Sequence, residues 1–206
     1  HHAVLHVVEH CGGRTVGVDA SGCIDLDSLA AVLDDTVSVV SVMAVNNEVG
    51  SIGPIAEVAA LVRSRSPHAV VHTDAIQAPT WLDLRDVTPH VGLMSLSAHK
   101  FGGPKGVGAL IVKDGLPIEP LLLGGGQEHD RRSGTHNVAG IVAMATALRI
   151  TDERRSEDVA RIAALRDALV DGLLARIPDS IETVPRARKV AGSAHMRSEE
   201  HTSELQ

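Results

Sequence analysis

Ala69-Val70-Val71-His72-Thr73-Asp74-Ala75-Ile76-Gln77 is the stretch on which the fold turns. Its first five residues are apolar and β-branched enough for a buried strand, and the polar Asp74 and Gln77 follow where that strand ends. Two neighbouring runs repeat the arrangement. Val37 to Val45 is a β-branched strand followed by Asn46-Asn47-Glu48, and Gly92 to Ser97 is a strand that runs into Ala98-His99-Lys100. Between the first two, Pro54 opens Ile55 to Val62, a helix with proline in its first turn. Asp25 and Asp27 put capping carboxylates at the start of a short apolar-faced helix that reaches Leu33. Val107 to Val112 supplies a further strand, and Asn137 to about Ile177 is helical, dominated by Ala, Leu, Arg and Glu. Strands that alternate with helices predict an α/β fold whose mostly parallel sheet is covered by helices on both faces. The long helix that follows predicts a connection to a second domain.

The bulk properties narrow the function classes. With 206 residues and 44% hydrophobic content the chain can bury a good core. Nineteen Lys and Arg against 26 Asp and Glu give a net charge of −7, so there is no basic field of the kind a nucleic-acid binder carries. Trp81 and Phe101 are the only aromatic residues of the Phe, Trp and Tyr type, too few for a base-stacking platform. No direct nucleic-acid partner is expected. The apolar runs contain Ser and are shorter than the roughly 20 residues a bilayer requires, so no membrane partner is expected either. Two cysteines, Cys11 and Cys23, fit a reducing compartment, and the cytoplasm is the expected location. Twelve histidines are scattered rather than spaced as ligands, and no metal is expected.

In parallel sheets, ligands lie beyond the carboxyl ends of the strands, where the connecting loops gather. The three polar clusters of this chain fall at three such ends. Taken singly, each has an ordinary reading. Lys100 before a Gly/Pro-rich turn is commonly a solvated charge, Asp74 a turn carboxylate, Asn47 a turn former, and the run Gly124-Gly125-Gly126 a flexible loop. Together they form a constellation. The glycines around Gly102 to Gly108 do not have the spacing of a nucleotide phosphate loop.

The segment Ser97-Ala98-His99-Lys100-Phe101-Gly102-Gly103-Pro104-Lys105-Gly106 resembles the cofactor-lysine segment of aminotransferase class V enzymes of fold-type I. Gly124-Gly125-Gly126-Gln127-Glu128-His129-Asp130-Arg131-Arg132-Ser133-Gly134-Thr135 narrows the resemblance to the NifS/IscS group of cysteine desulfurases. That resemblance implies pyridoxal 5'-phosphate as cofactor, with Lys100 as its covalent holder and proton mover. It implies that Asp74 pairs with the pyridinium nitrogen and Gln77 contacts the phenolic oxygen. Ser97, His99 and Thr135 would hold the phosphate, Thr135 from the neighbouring subunit of a homodimer. Asn47, within Val45-Asn46-Asn47-Glu48-Val49-Gly50, would lie near the cofactor oxygen and the substrate carboxylate. His1, followed by His2-Ala3-Val4-Leu5, would stack on the ring and help with proton transfer.

The implied reaction converts L-cysteine to L-alanine and leaves sulfur as an enzyme persulfide. Iron–sulfur scaffold proteins or sulfur-accepting tRNA-modification enzymes are the implied partners. Selenocysteine lyase or aminotransferase activity on the same cofactor apparatus is the alternative, as is a cofactor-binding remnant without activity. Residues 1–155 are expected to be a partial cofactor-binding large domain. Residues 156–196 are expected to be the connecting helix and the start of a truncated small domain. Arg197 to Gln206 resembles a translated sequencing adapter, shows neither helical nor strand periodicity, and is expected to be a non-native tail. Chains of the resembling family are about twice as long. Their sulfur-accepting cysteine lies on a later loop that neither Cys11 nor Cys23 matches.

Overall fold

The structure is a computed structural model and describes residues 1–198. Its centre is a four-stranded sheet in the order β1 (Val39–Met43), β2 (Val70–Asp74), β3 (Leu93–Ser97), β4 (Gly108–Val112). The first three strands are parallel, with Met43 opposite Asp74 and Asp74 opposite Ser95. β4 runs antiparallel to β3 along the edge, which the short turn from Phe101 to Val107 permits. The mostly parallel α/β arrangement is therefore as the alternation of elements predicted.

Strand alternation sets the two faces of the sheet. Val40, Val71, Thr73, Met94 and Leu96 point to the buried side. Ser41, His72, Ser95 and Ser97 point to the other, which is half-buried. Four of the five residues of β4 are exposed, so helical cover does not extend to this edge.

α1 (His2–His10) opens the chain where the sequence reading assigns no element. α2 (Leu26–Val32) is capped by Asp25, whose carboxylate accepts from the Asp27 and Ser28 backbone N–H groups. α3 (Ile55–Arg65) buries Ile55, Val58, Ala59 and Val62, the i, i+3, i+4, i+7 stripe of a helix laid on a sheet. Pro54 is the cap residue just ahead of this helix rather than a member of its first turn.

α4 (Val138–Leu174) has 37 residues and is about 55 Å long. Asn137 caps it by accepting from Gly140 N at 3.1 Å. Its early turns lie on the sheet end: Thr151 Oγ1 donates to Phe101 O and Arg155 Nε to Pro79 O. The expected division between residues 155 and 156 falls inside this unbroken helix.

After α4 the chain returns toward the sheet as a strap. Ile52 N donates to Arg188 O, Val190 N to Gly50 O, and Ser193 Oγ to Val49 O at 2.7 Å. Behind it, β5 (Ile181–Glu182) pairs antiparallel with β6 (Met196–Arg197), so Arg197 belongs to a strand rather than to a patternless tail. Residues 199–206 of that expected tail lie outside the described residues. Lys189, fully buried, is neutralised by Glu182.

Candidate active site at the strand ends

The site is built where β1, β2 and β3 release their chains. Beyond β1, Asn46 Oδ1 accepts from Glu48 N and Val49 N, both at 2.9 Å. This closes an Asx turn, the reason asparagine stands there. Its neighbour Asn47 is left exposed at the tip of the turn. The turn is held from below because Ala44 N donates to Asp74 O at 2.9 Å.

Asp74 ends β2 and is 4% exposed. Its Oδ1 accepts from Ile76 N at 3.1 Å, while Oδ2 has no protein partner among the described residues. A buried carboxylate with one open oxygen is costly unless a cation or donor approaches it. Gln77 follows three residues on and lines a cleft of about 360 Å³ together with Asn47, Glu48, Trp81 and His195. The structure thus brings Asn47 and Gln77 into one cavity, although 30 residues separate them in sequence.

Beyond β3 the chain makes a tight 3-10 turn over Ala98–Phe101, ended by Gly102 at φ 84°, a left-handed conformation that favours glycine. Phe101 is buried and anchors the turn; Thr80 Oγ1 donates to Lys100 O and Thr151 Oγ1 to Phe101 O. The main chain at Lys100 is therefore pinned while its ammonium side chain is left exposed. Ser97 Oγ and His99 Nδ1 lie 2.9 Å apart, joining the two residues as one hydroxyl–imidazole unit. Ser97 stands two residues past Ser95, the register partner of Asp74, about 7 Å further along the strand.

Two expected site residues make no hydrogen bond or ion pair with this group among the described residues. His1 is exposed and its Nδ1 accepts from Ala3 N, so its observed role is to cap α1. Thr135 is exposed in the loop before α4. No hydrogen bond or ion pair among the described residues ties either to the strand ends. Nor do three or more His, Cys, Asp or Glu side chains there gather as metal ligands.

Sequence reasoning missed three residues. His72 lies on the same face of β2 as Asp74, with Ser41 Oγ 2.7 Å from Nδ1 and Ser95 Oγ 2.9 Å from Nε2. Burial pushes its pKa down, and the charge of Asp74 opposes that shift only in part. A neutral imidazole needs one donor and one acceptor, and the two serine hydroxyls supply both across three adjacent strands. The signal was present in its spacing of two from Asp74. Trp81 and His195 line the cleft, and no local pattern marks them.

An open sheet with convergent polar groups at the carboxyl ends of its parallel strands defines a ligand-binding α/β protein. Its particular kind follows from comparison with known proteins. Residues 1–198 match the family described as Aminotransferase class-V, and the chain belongs to that family. It is 43% identical over 204 residues to the IscS-like cysteine desulfurase of Mycobacterium tuberculosis, covering 95% of this chain and 51% of that protein. It is 40% identical over 184 residues to cysteine desulfurase IscS of Clostridium botulinum, covering 87% and 46%. Among solved structures, a NifS-like protein superposes with a TM-score of 0.86 at 38% identity, covering 93% of this chain and 53% of that one. DndA from Streptomyces lividans does so with a TM-score of 0.80 at 33% identity, covering 93% and 55%. The chain spans about half the length of the relatives it matches.

Proposed function

We propose that this chain is the cofactor-bearing half of a pyridoxal-phosphate-dependent cysteine desulfurase, acting on L-cysteine to yield L-alanine and a persulfide. One observation carries the reading: Asn47, Asp74, Gln77, Ser97, His99 and Lys100 all stand at the carboxyl ends of three adjacent parallel strands. The residues fit the cofactor chemically. Asp74 offers an open carboxylate oxygen inside a buried position, suited to a protonated ring nitrogen. The Ser97–His99 unit offers a hydroxyl and an imidazole to a phosphate. Lys100 offers an amine on a fixed main chain.

When bound, pyridoxal phosphate supplies an electron sink for the α-carbon of the substrate. Lys100 holds the cofactor and then carries protons to and from the substrate. Asp74 keeps the proton on the ring nitrogen, and His72, held neutral between Ser41 and Ser95, does not compete for that carboxylate. Gln77 donates to the phenolic oxygen. His1 stacks on the ring, and Thr135 reaches the phosphate of a neighbouring subunit in a homodimer. Exposed apolar side chains such as Leu121 at 97% and Leu123 at 83%, just ahead of the Gly124 loop, support such a protein–protein surface. Sulfur acceptors are iron–sulfur scaffold proteins or tRNA-modifying enzymes, and the working compartment is the cytoplasm. No helix among the described residues is long and apolar enough to cross a membrane.

Borohydride reduction of the cofactor-loaded protein followed by peptide mapping tests the assignment. The label is expected on Lys100; a label on Lys105 or Lys113 overturns it.

A further inference from the structure

α1 buries none of its residues and carries no lysine or arginine; Glu9 is its one carboxylate. His2 and His6 stand four residues apart on it, the spacing that puts two side chains on one face of a helix. Both are exposed. Their ring centroids are 4.9 Å apart, and His2 Nδ1 lies 3.2 Å from His6 Nε2. The other nitrogen of each ring has no protein partner among the described residues.

A single N–H···N hydrogen bond joins the two rings as they stand. The same separation is that of a chelate. A metal ion held about 2.0–2.1 Å from each of two imidazole nitrogens, at a near-tetrahedral angle, sets those nitrogens about 3.3 Å apart. The helix backbone has therefore brought both ligands to the required spacing, and little ordering remains to oppose binding. Passing from the hydrogen bond to the chelate requires only that the donating ring carry its proton on its other, free nitrogen. No cation on α1 repels an incoming ion.

The remaining histidines of this segment are placed differently. His1 has its Nδ1 committed to Ala3 N at 3.1 Å, and its ring centroid is 6.3 Å from that of His2. His10 comes four residues after His6, yet no hydrogen bond joins their rings among the described residues. No third His, Cys, Asp or Glu completes a cluster there, so water fills the other coordination positions.

We propose that His2 and His6 form a two-histidine chelate for a divalent transition-metal ion of the zinc, nickel and copper type, which takes imidazole nitrogen where magnesium and calcium take oxygen. With two protein ligands and the rest water, the ion exchanges and is not a structural clamp of the four-ligand kind. The site uses none of the strand-end residues and stands independently of the desulfurase reading.

The test uses the whole chain with its amino terminus acetylated, so that the terminal amine offers no ligand. Wild type is compared with His2→Ala, His6→Ala, the double variant and His10→Ala. Melting temperatures without metal are expected to agree, because these side chains are exposed. Calorimetric titration with Zn2+ should show one tightest site per chain in wild type. That site is expected to weaken at least tenfold in His2→Ala and as much in His6→Ala. The double variant should lose no more than either single one, since a chelate is lost only once. His10→Ala should stay within about twofold of wild type, Ni2+ should give the same order of variants, and Mg2+ should not bind. In wild type, Zn2+ should shift the ring proton resonances of His2 and His6 at one common midpoint.

Unchanged Zn2+ affinity in both single variants overturns the proposal. A larger loss in His10→Ala than in His2→Ala overturns it by moving the chelate one turn along the helix. Losses that add in the double variant, or a resonance shift in only one of the two rings, show independent single-histidine binding and overturn it as well.

Discussion

Asp74 and Asp83 are both aspartates at chain turns, yet their surroundings separate them. Asp83 accepts from the Arg85 backbone and side chain, which hold its carboxyl below the usual range. Asp74 is buried with an open oxygen. A charge-assisted hydrogen bond of this kind is worth about 1.5–3 kcal/mol, or about 10- to 150-fold. Asp74→Ala is accordingly expected to lower L-alanine release from L-cysteine by at least that factor, and Asp83→Ala by less than about twofold. Equal losses remove the basis for the Asp74 role. The placing of Asp74, Gln77 and Lys100 at strand ends was legible in sequence, because Asp74 closes β2 and Gln77 and Lys100 come three residues past the ends of β2 and β3. His195 was not, since its place in the cleft depends on a return of the chain from more than 100 residues downstream.

At the scale of elements, the strap and its attachments are the testable feature. Gly192→Ala drives a methyl group into Trp81, and overpacking of this kind costs about 1–3 kcal/mol. A drop of that size in unfolding free energy, read by denaturant titration, is expected, with weaker L-cysteine binding. An unchanged midpoint would show that the strap does not rest on Trp81. Asp19 ties the strap to the preceding loop through Arg188 at 3.1 Å. The Ser21 hydroxyl above all, then the Cys23 and Ser21 backbone N–H groups and Arg188, pull its pKa from 3.8 down to about 2. A carboxylate depressed on folding stabilises the native state above its ordinary pKa and loses that contribution as pH falls from near 4 toward 2. Asp19→Asn is expected to flatten this part of the melting-temperature profile, and an unaltered slope between pH 4 and 2 would contradict the assignment. Periodicity located β1 to β3, α2, α3 and α4 to within a few residues. It did not reveal the antiparallel sense of β4, because direction depends on the pairing partner and not on the strand's own pattern.

At the scale of the whole molecule, the thiols decide what this chain does alone. Cys23 is 2% exposed with Sγ 3.8 Å from Ile52 O, beneath the Asn47 turn, and Cys11 is exposed at the end of α1. Neither lines the cleft. L-Alanine and sulfide release is expected to be absent with the chain by itself, and to be gained when the C-terminal half of a full-length relative is joined after Ser198. Turnover by the chain alone that is abolished by Cys11→Ser or Cys23→Ser would relocate the nucleophile. The sequence by itself determined the α/β class, the order of strands and helices, and the polar groups released at three strand ends, because those follow from local periodicity and from which residues end a strand. Only the tertiary structure decided that Asn47 and Gln77 share one cleft, that His72 bridges Ser41 and Ser95, and that residues 188–195 close the outer wall. Those relations rest on strand register and long-range hydrogen bonds between segments far apart in sequence, and no local pattern encodes them.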